Sequence, residues 1–334
     1  MGILYVTTPG SVVRISHDTV RVTRGSRTLA ELPSLSVDSI LLFGNCQITT
    51  PMVHYCAEHN IELFFLSGYG RFIGKLNTGT STNLPVRMAQ MQAAQNDRFA
   101  LRLARGVVRA KLHNCRGYAR RLLRDGVVSR EHNQVADELS RMVRRAERCA
   151  DLESLRGIEG TGARAYFSLL RDAIGDQIGM GKRSRRPPED PGNALLSLAY
   201  SLLFTQVYAA VECAGLDPYL GFYHADKWGR PALVLDLMEE FRPVIADRLV
   251  VGLVRRRMIS ADDFVEADDL ACGLTRDAFS LFCRQFAGAM ARRLKHPDSG
   301  ESTTYRRCLE IQARRLARVL RGEAQTYQPF ELER

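Results

Sequence analysis

The sequence predicts an α+β protein: a small β-rich N-terminal domain over residues 1–77, a linker over 78–85 and a larger all-α domain over 86–334. Three observations carry this reading. Short β-branched and aromatic runs fill the first 77 residues, a small polar stretch follows, and the apolar period then changes to that of helices. A length of 334 residues is about twice that of a typical domain, which allows two.

In the first part, Ile3 to Val6, Val12 to Ile15, Val20 to Val22, Ile40 to Phe43 and Ile61 to Leu66 read as strands. Turn residues such as Pro9-Gly10, Gly25-Ser26, Gly44-Asn45 and Gly68-Tyr69-Gly70 separate them. One short helix is expected from Pro51 to Asn60, with the proline in its first turn. The segment Asn77 to Asn83 has the composition of a linker. Beyond Pro85, Leu101, Ala104, Val108 and Leu112 recur at helical spacing beside a row of Arg98, Arg102, Arg105 and Arg109. Further helices are expected near 131–149, 152–172, 192–214, 237–255, 275–295 and 303–321, with no internal repeat.

Composition excludes several classes. Apolar content of 45% and charged content of 25% argue against a disordered chain. No run of 18 apolar residues occurs, so no membrane span is expected, and the first residues lack the features of a secretory signal. None of the eight cysteines forms a C-x-x-C pair, so they read as core thiols of a cytoplasmic protein. The net charge is +10, and only five basic residues are lysine. Residues 98–148 hold fourteen basic and five acidic side chains, nearly the whole excess. Localised arginine is the footprint of a nucleic-acid binder; a solvated helix face is the plainer reading. The loop with Lys182, Arg183, Arg185 and Arg186 before Pro187-Pro188 is either a phosphate contact or a solvated turn capping the next helix. It fails as a Walker A loop, because Asp176 and Arg183 stand where Gly and Ser/Thr are needed.

Two places could carry chemistry. Glu159 falls on the inward stripe of Leu152, Leu155, Ala163, Tyr166 and Leu170, among Gly157, Gly160 and Gly162. An inward carboxylate must be paired, protonated or bound to a cation, and an internal salt bridge to an arginine is the structural alternative. The second place runs from Gly221 to Pro243. His224 lies in a Gly- and Pro-bounded loop, and Asp236 and Glu239 share one side at the start of an expected helix, where the dipole would favour both. Two carboxylates and a neutral imidazole suit Mn²⁺ or Mg²⁺, an ion able to polarise a phosphoryl oxygen. The imidazole must be unprotonated to coordinate, so metal-dependent activity is expected to decline in acid.

The stretch HADKWGRPALVLDLMEEFRP (224–243) resembles the signature of the CRISPR-associated spacer integrase, the universal adaptation nuclease of CRISPR systems. Residues 41–76, the set Gln95, Asp97, Lys111 and Asn114, GIEGTGARAYF (157–167) and RRPPEDPGNALLSLAYSLL (185–203) resemble the same family. The tail IQARRLARVLRGEAQTYQPF is similar to its subtype I-C branch. The resemblance implies an N-terminal β domain, a helical catalytic domain and a metal site of Glu159, His224 and Glu239, assisted by Asp236. In some members an aspartate is the metal-binding acid, which leaves Asp236 and Glu239 as alternatives. Tyr223 departs from the aliphatic residue common before the histidine.

The function implied is metal-dependent cleavage and integration of double-stranded DNA, inserting short foreign fragments into the CRISPR array by transesterification. Arg102, Arg105, Arg109, Lys182, Arg183, Arg185, Arg186 and Lys227 would grip phosphates. A homodimer joined by a second small adaptation protein is implied. The rival readings are a non-catalytic arginine-rich DNA scaffold and a hydrolase of small phosphate esters.

Overall fold

The computed structural model describes residues 2–76, 83–183, 188–224, 229–267 and 270–332. Arg185, Arg186, Lys227 and most of the expected linker lie outside the described residues. The described chain divides into two compact units: residues up to 76 with 263–265 and 273–287, and the remainder.

The first unit contains β1 (Gly2–Val6), β2 (Val12–Ser16), β3 (Thr19–Arg24), β4 (Arg27–Pro33), β5 (Val37–Phe43), β6 (Gln47–Ile48), α1 (Thr50–Glu58), β7 (Glu62–Leu66) and β8 (Phe72–Leu76). One sheet has the order β1-β5-β7-β8, parallel except for β8; the other is β4-β3-β2-β6, antiparallel except for the short β6. From Ile40 to Phe43 strand β5 is apolar on both faces, as a strand covered on both sides must be. Ile40 and Leu42 join Val13, Val20, Val22, Met52 and Cys56 in one core. Leu41 and Phe43 point the other way and are also buried. Phe43 there meets Phe279 edge-on, with ring centroids 5.1 Å apart. That packing is why residues 273–287, which the sequence reading left in the helical part, belong to the first unit.

The rest of the chain continues with α2 (Leu84–Ala94), α3 (Asp97–Arg124), α4 (Asn133–Glu147), α5 (Leu152–Ile178), α6 (Pro191–Cys213), α7 (Ala232–Met238) and α8 (Arg248–Arg255). Then come β9 (Phe264–Ala267), β10 (Leu270–Leu274), α9 (Arg276–Ala291), β11 (Arg293–Lys295), β12 (Ser302–Thr304) and α10 (Tyr305–Leu320). Side-chain caps set several starts: Asn96 accepts from the N–H groups of Arg98 and Phe99, Asp151 from Ser154 and Asp190 from Asn193. This part is mostly helical, and the expectation of an all-α domain is corrected: β9 pairs with β10, and β11 with β12. Strands of three to five residues are too short to impose a readable alternation.

The helix expected over 237–255 is also interrupted. Helix α7 ends at Met238, a π-helical turn spans Arg242–Asp247, and α8 follows. Pro243 cannot donate a backbone hydrogen bond, and the wider turn accommodates it. Helix α6 is long and apolar enough to cross a membrane, but 67% of its most apolar window is buried inside the protein, so it serves as a core helix. Helices α3 and α5 approach closely at Gly162, where a Cβ would collide with the Leu112 side chain. A side chain there would force buried Leu112 to move, which favours glycine despite its cost of about 1 kcal/mol in a helix. The same approach brings Lys111, beside Leu112, to Glu159 one turn before Gly162. No disulfide forms among the described residues, and six of the eight cysteines are buried; Cys46 is half-buried and Cys213 exposed.

Candidate active site

The loop before α7 is folded around one carboxylate. Asp236 Oδ2 accepts the backbone N–H groups of Phe222 (2.7 Å) and Tyr223 (3.0 Å), and Oδ1 accepts that of His224 (3.0 Å). Gly221 lets the loop lie on the start of α7, since a Cβ there would sit 2.6 Å from Ala232. Asp236 Oδ1 also lies 2.8 Å from His224 Nδ1. A carboxylate at that distance requires a proton on Nδ1, so in the neutral imidazole the lone pair sits on Nε2. The Nε2 atom faces Glu239 Oε1 at 3.9 Å.

The helix dipole does not favour the two acids. Asp236 lies in the last turn of α7 and Glu239 at its C-cap, the end where a carboxylate is disfavoured. Specific partners hold them instead. Lys111 Nζ is ion-paired with Glu159 and lies 2.6 Å from Glu239 Oε2. The cation that meets Glu159 is thus Lys111 and not an arginine. Arg242 NH1 lies 3.1 Å from Glu239 Oε1. Burial pushes the Glu239 carboxyl up, but Arg242, Lys111 and His224 outweigh it and pull it down to about 2. Burial likewise opposes the Lys111 charge, and Glu239 and Glu159 more than reverse that, raising its pKa.

Behind this cluster, Arg242 stacks over Tyr200 at 4.8 Å, and Arg183 lies over Tyr200 at 5.7 Å and Phe167 at 5.6 Å. The Tyr200 and Tyr166 hydroxyls donate to Asp247 at 2.6 and 3.0 Å. Burial, only partly offset by those bonds, pushes the Asp247 carboxyl up to about 6.

Glu159, His224, Asp236 and Glu239 are therefore brought into one cluster. Among the described residues, no three His, Cys, Asp or Glu side chains are placed to ligate one ion as they stand. The Lys111 ammonium occupies the point where Glu159 and Glu239 converge. The donor set nevertheless fits a divalent cation: two carboxylates from separate elements already meet one positive charge, and an imidazole Nε2 faces one of them, Glu239. Glu239 Oε2 is buried without a hydrogen bond of good geometry, its lysine contact being an ion pair only.

The basic residues divide. Arg102 is exposed, over the Phe99 ring at 5.2 Å, and Lys182 is exposed. Arg105 is half-buried. Arg109 is engaged by Glu331 at 3.0 Å and Glu147 at 3.7 Å, and Arg183 donates to Asn193 at 2.8 Å. Sequence reasoning gave Lys111, Arg242 and Tyr200 no role in the site. A signal existed for Lys111: it sits on the buried stripe of α3 with Ala104, Val108, Cys115 and Tyr118. A lysine on such a stripe demands a counter-charge.

A family model described as CRISPR associated protein Cas1 matches residues 4–287. A CRISPR-associated endonuclease Cas1 of Thermus thermophilus is 36% identical over 332 residues, covering 99% of this chain and 97% of the relative. Two solved structures share the fold. A Cas6-RT-Cas1–Cas2 complex gives a TM-score of 0.85 at 23% identity, over 99% of this chain and 36% of that longer chain. A casposase bound to integration product gives 0.83 at 19% identity, over 100% and 95%.

Proposed function

The chain belongs to the CRISPR-associated Cas1 family, and from that premise we propose that the cluster around Glu159, His224 and Glu239 is the centre of a metal-dependent DNA endonuclease and integrase of CRISPR adaptation. The observation that carries the assignment is the convergence of these side chains, 80 residues apart at the extremes, within a family whose relatives are named endonucleases. That naming disfavours the non-catalytic scaffold.

Glu159, His224 and Glu239 would hold Mn²⁺ or Mg²⁺, which supplies Lewis-acid polarisation of a phosphoryl oxygen when bound. Asp236 spends both oxygens on the loop and on Nδ1, so it orients the imidazole, and Glu239 is the better ligand of the two acids. Arg242 keeps Glu239 ionised. Arg102, Arg105 and Lys182, with Arg185, Arg186 and Lys227, contact DNA phosphates, whereas Arg109 and Arg183 must first leave internal partners. The β-rich unit built on residues 1–77 dimerises, the 78–85 linker joins it to the catalytic unit formed by 86–334 without the segments 263–265 and 273–287, and the dimer assembles with a Cas2-type protein, as in the complex that shares the fold. The likeness of the tail 311–330 to the subtype I-C branch supports assigning the chain to that branch.

Glu159→Ala and His224→Ala should abolish Mn²⁺-dependent cleavage and strand transfer on a branched duplex while DNA binding persists. Full activity in both variants would remove the assignment.

A further inference from the structure

Lys111 is among only five lysines in a chain with 47 basic residues. It projects from the buried stripe of α3, its side chain 12% exposed, and pairs with carboxylates from α5 and from the turn after α7. Without it, the Glu159 and Glu239 carboxylates would face each other with no ammonium between them and repel. With it, a divalent cation reaching for the same oxygens meets a positive charge already there. An ion at ligand distance from those two oxygens would lie within a few ångströms of the ammonium and repel it.

We propose that Lys111 is an internal counter-ion: it holds Glu159 and Glu239 in register in the metal-free protein and is displaced when the divalent cation enters. The proposal rests on the metal reading above and adds that metal binding is an exchange of charges. Lys111 thereby preorganises the site and weakens its affinity for the ion. It is a positioning residue in the metal-free state.

Two measurements on the purified full chain test this. Lysines of the wild type are acetylated briefly with and without Mg²⁺ and read by peptide mass spectrometry, with exposed Lys182 and Lys295 as internal references. Lys111 should be protected without Mg²⁺ and labelled at least about fivefold faster with it. In parallel, Mn²⁺ binding to wild type and Lys111→Met is measured by calorimetry and thermal melting. The variant should melt about 5 °C lower without metal. It should bind Mn²⁺ at least about tenfold more tightly, with the larger thermal gain. Equal Mn²⁺ affinity in both proteins, or labelling of Lys111 indifferent to Mg²⁺, overturns the proposal while leaving the metal site in place. Absence of Mn²⁺ binding in the wild type removes the metal reading and this proposal with it. Should Lys111→Met not fold, the labelling of the wild type decides alone.

Discussion

Glu239 and Glu240 are adjacent, both buried, and sit in opposite surroundings. Glu239 faces Lys111 and Arg242. Glu240 faces neutral donors: the Tyr327 hydroxyl at 2.6 Å, the Phe330 N–H at 2.7 Å and Gln312 Nε2 at 3.0 Å. Burial pushes both carboxyls up. Cations reverse that for Glu239, bringing it to about 2, while neutral hydrogen bonds only temper it for Glu240, which rises to about 7. Equal burial therefore yields a permanent anion on one side of the turn and a proton-holding acid on the other. The second side is a clamp on the C-terminal segment. Asn114 donates to the carbonyls of Glu240 and Phe330, both at 2.8 Å, and Phe330 stacks on Phe241 with centroids 4.7 Å apart.

Isosteric neutralisation gives the sharpest test of that contrast. Glu239→Gln should lower Mn²⁺-dependent cleavage on the order of a thousandfold. Glu240→Gln should leave it within about threefold, because an amide can accept from the Phe330 N–H and donate to the Tyr327 hydroxyl. Equal losses in a plasmid-nicking assay would erase the distinction between the two sides. Next in size, Phe330→Ala should cost about 3–5 kcal/mol of unfolding free energy in urea, the range for emptying a buried aromatic site. A loss below about 1 kcal/mol would show that the tail does not hold the turn.

The smallest effect is in pH. The raised folded pKa of Glu240 means that between its ordinary 4.5 and about 7 the unfolded chain binds fewer protons, so stability falls as pH rises. Asp247 adds a fall between 3.8 and about 6. Glu239 runs the other way, its contribution being lost as pH drops from 4.5 through about 2. Metal-free Glu240→Gln should therefore lose less stability than wild type between pH 5 and 8, by roughly 3 kcal/mol at most. Parallel urea midpoints across that range would contradict a protonated Glu240.

Much of the fold was legible because its signals are local. The turn residues before Pro51 and the apolar period after Pro85 located α1 and most helices within a few residues. The helix expected over 237–255 ran through Pro243, and the π-helical turn that the proline occupies was not foreseeable. The site residues were legible as residue types carried by a family pattern, and less so as an arrangement. Placing Asp236 and Glu239 at a helix start followed from the apolar period, yet the helix begins earlier and ends between them.

By itself the sequence determined where strands give way to helices, where the cationic excess lies, and which acids and imidazole could bind an ion. Only the tertiary structure decided that Phe279 covers the sheet of the first unit, that Asp236 aims the imidazole while Glu239 faces the cations, and that Lys111 stands between two carboxylates. Periodicity and composition act over a few residues and survive in the string. The charge on a buried carboxylate depends on what distant helices bring within about 4 Å, and that distance is set by packing such as the contact at Gly162.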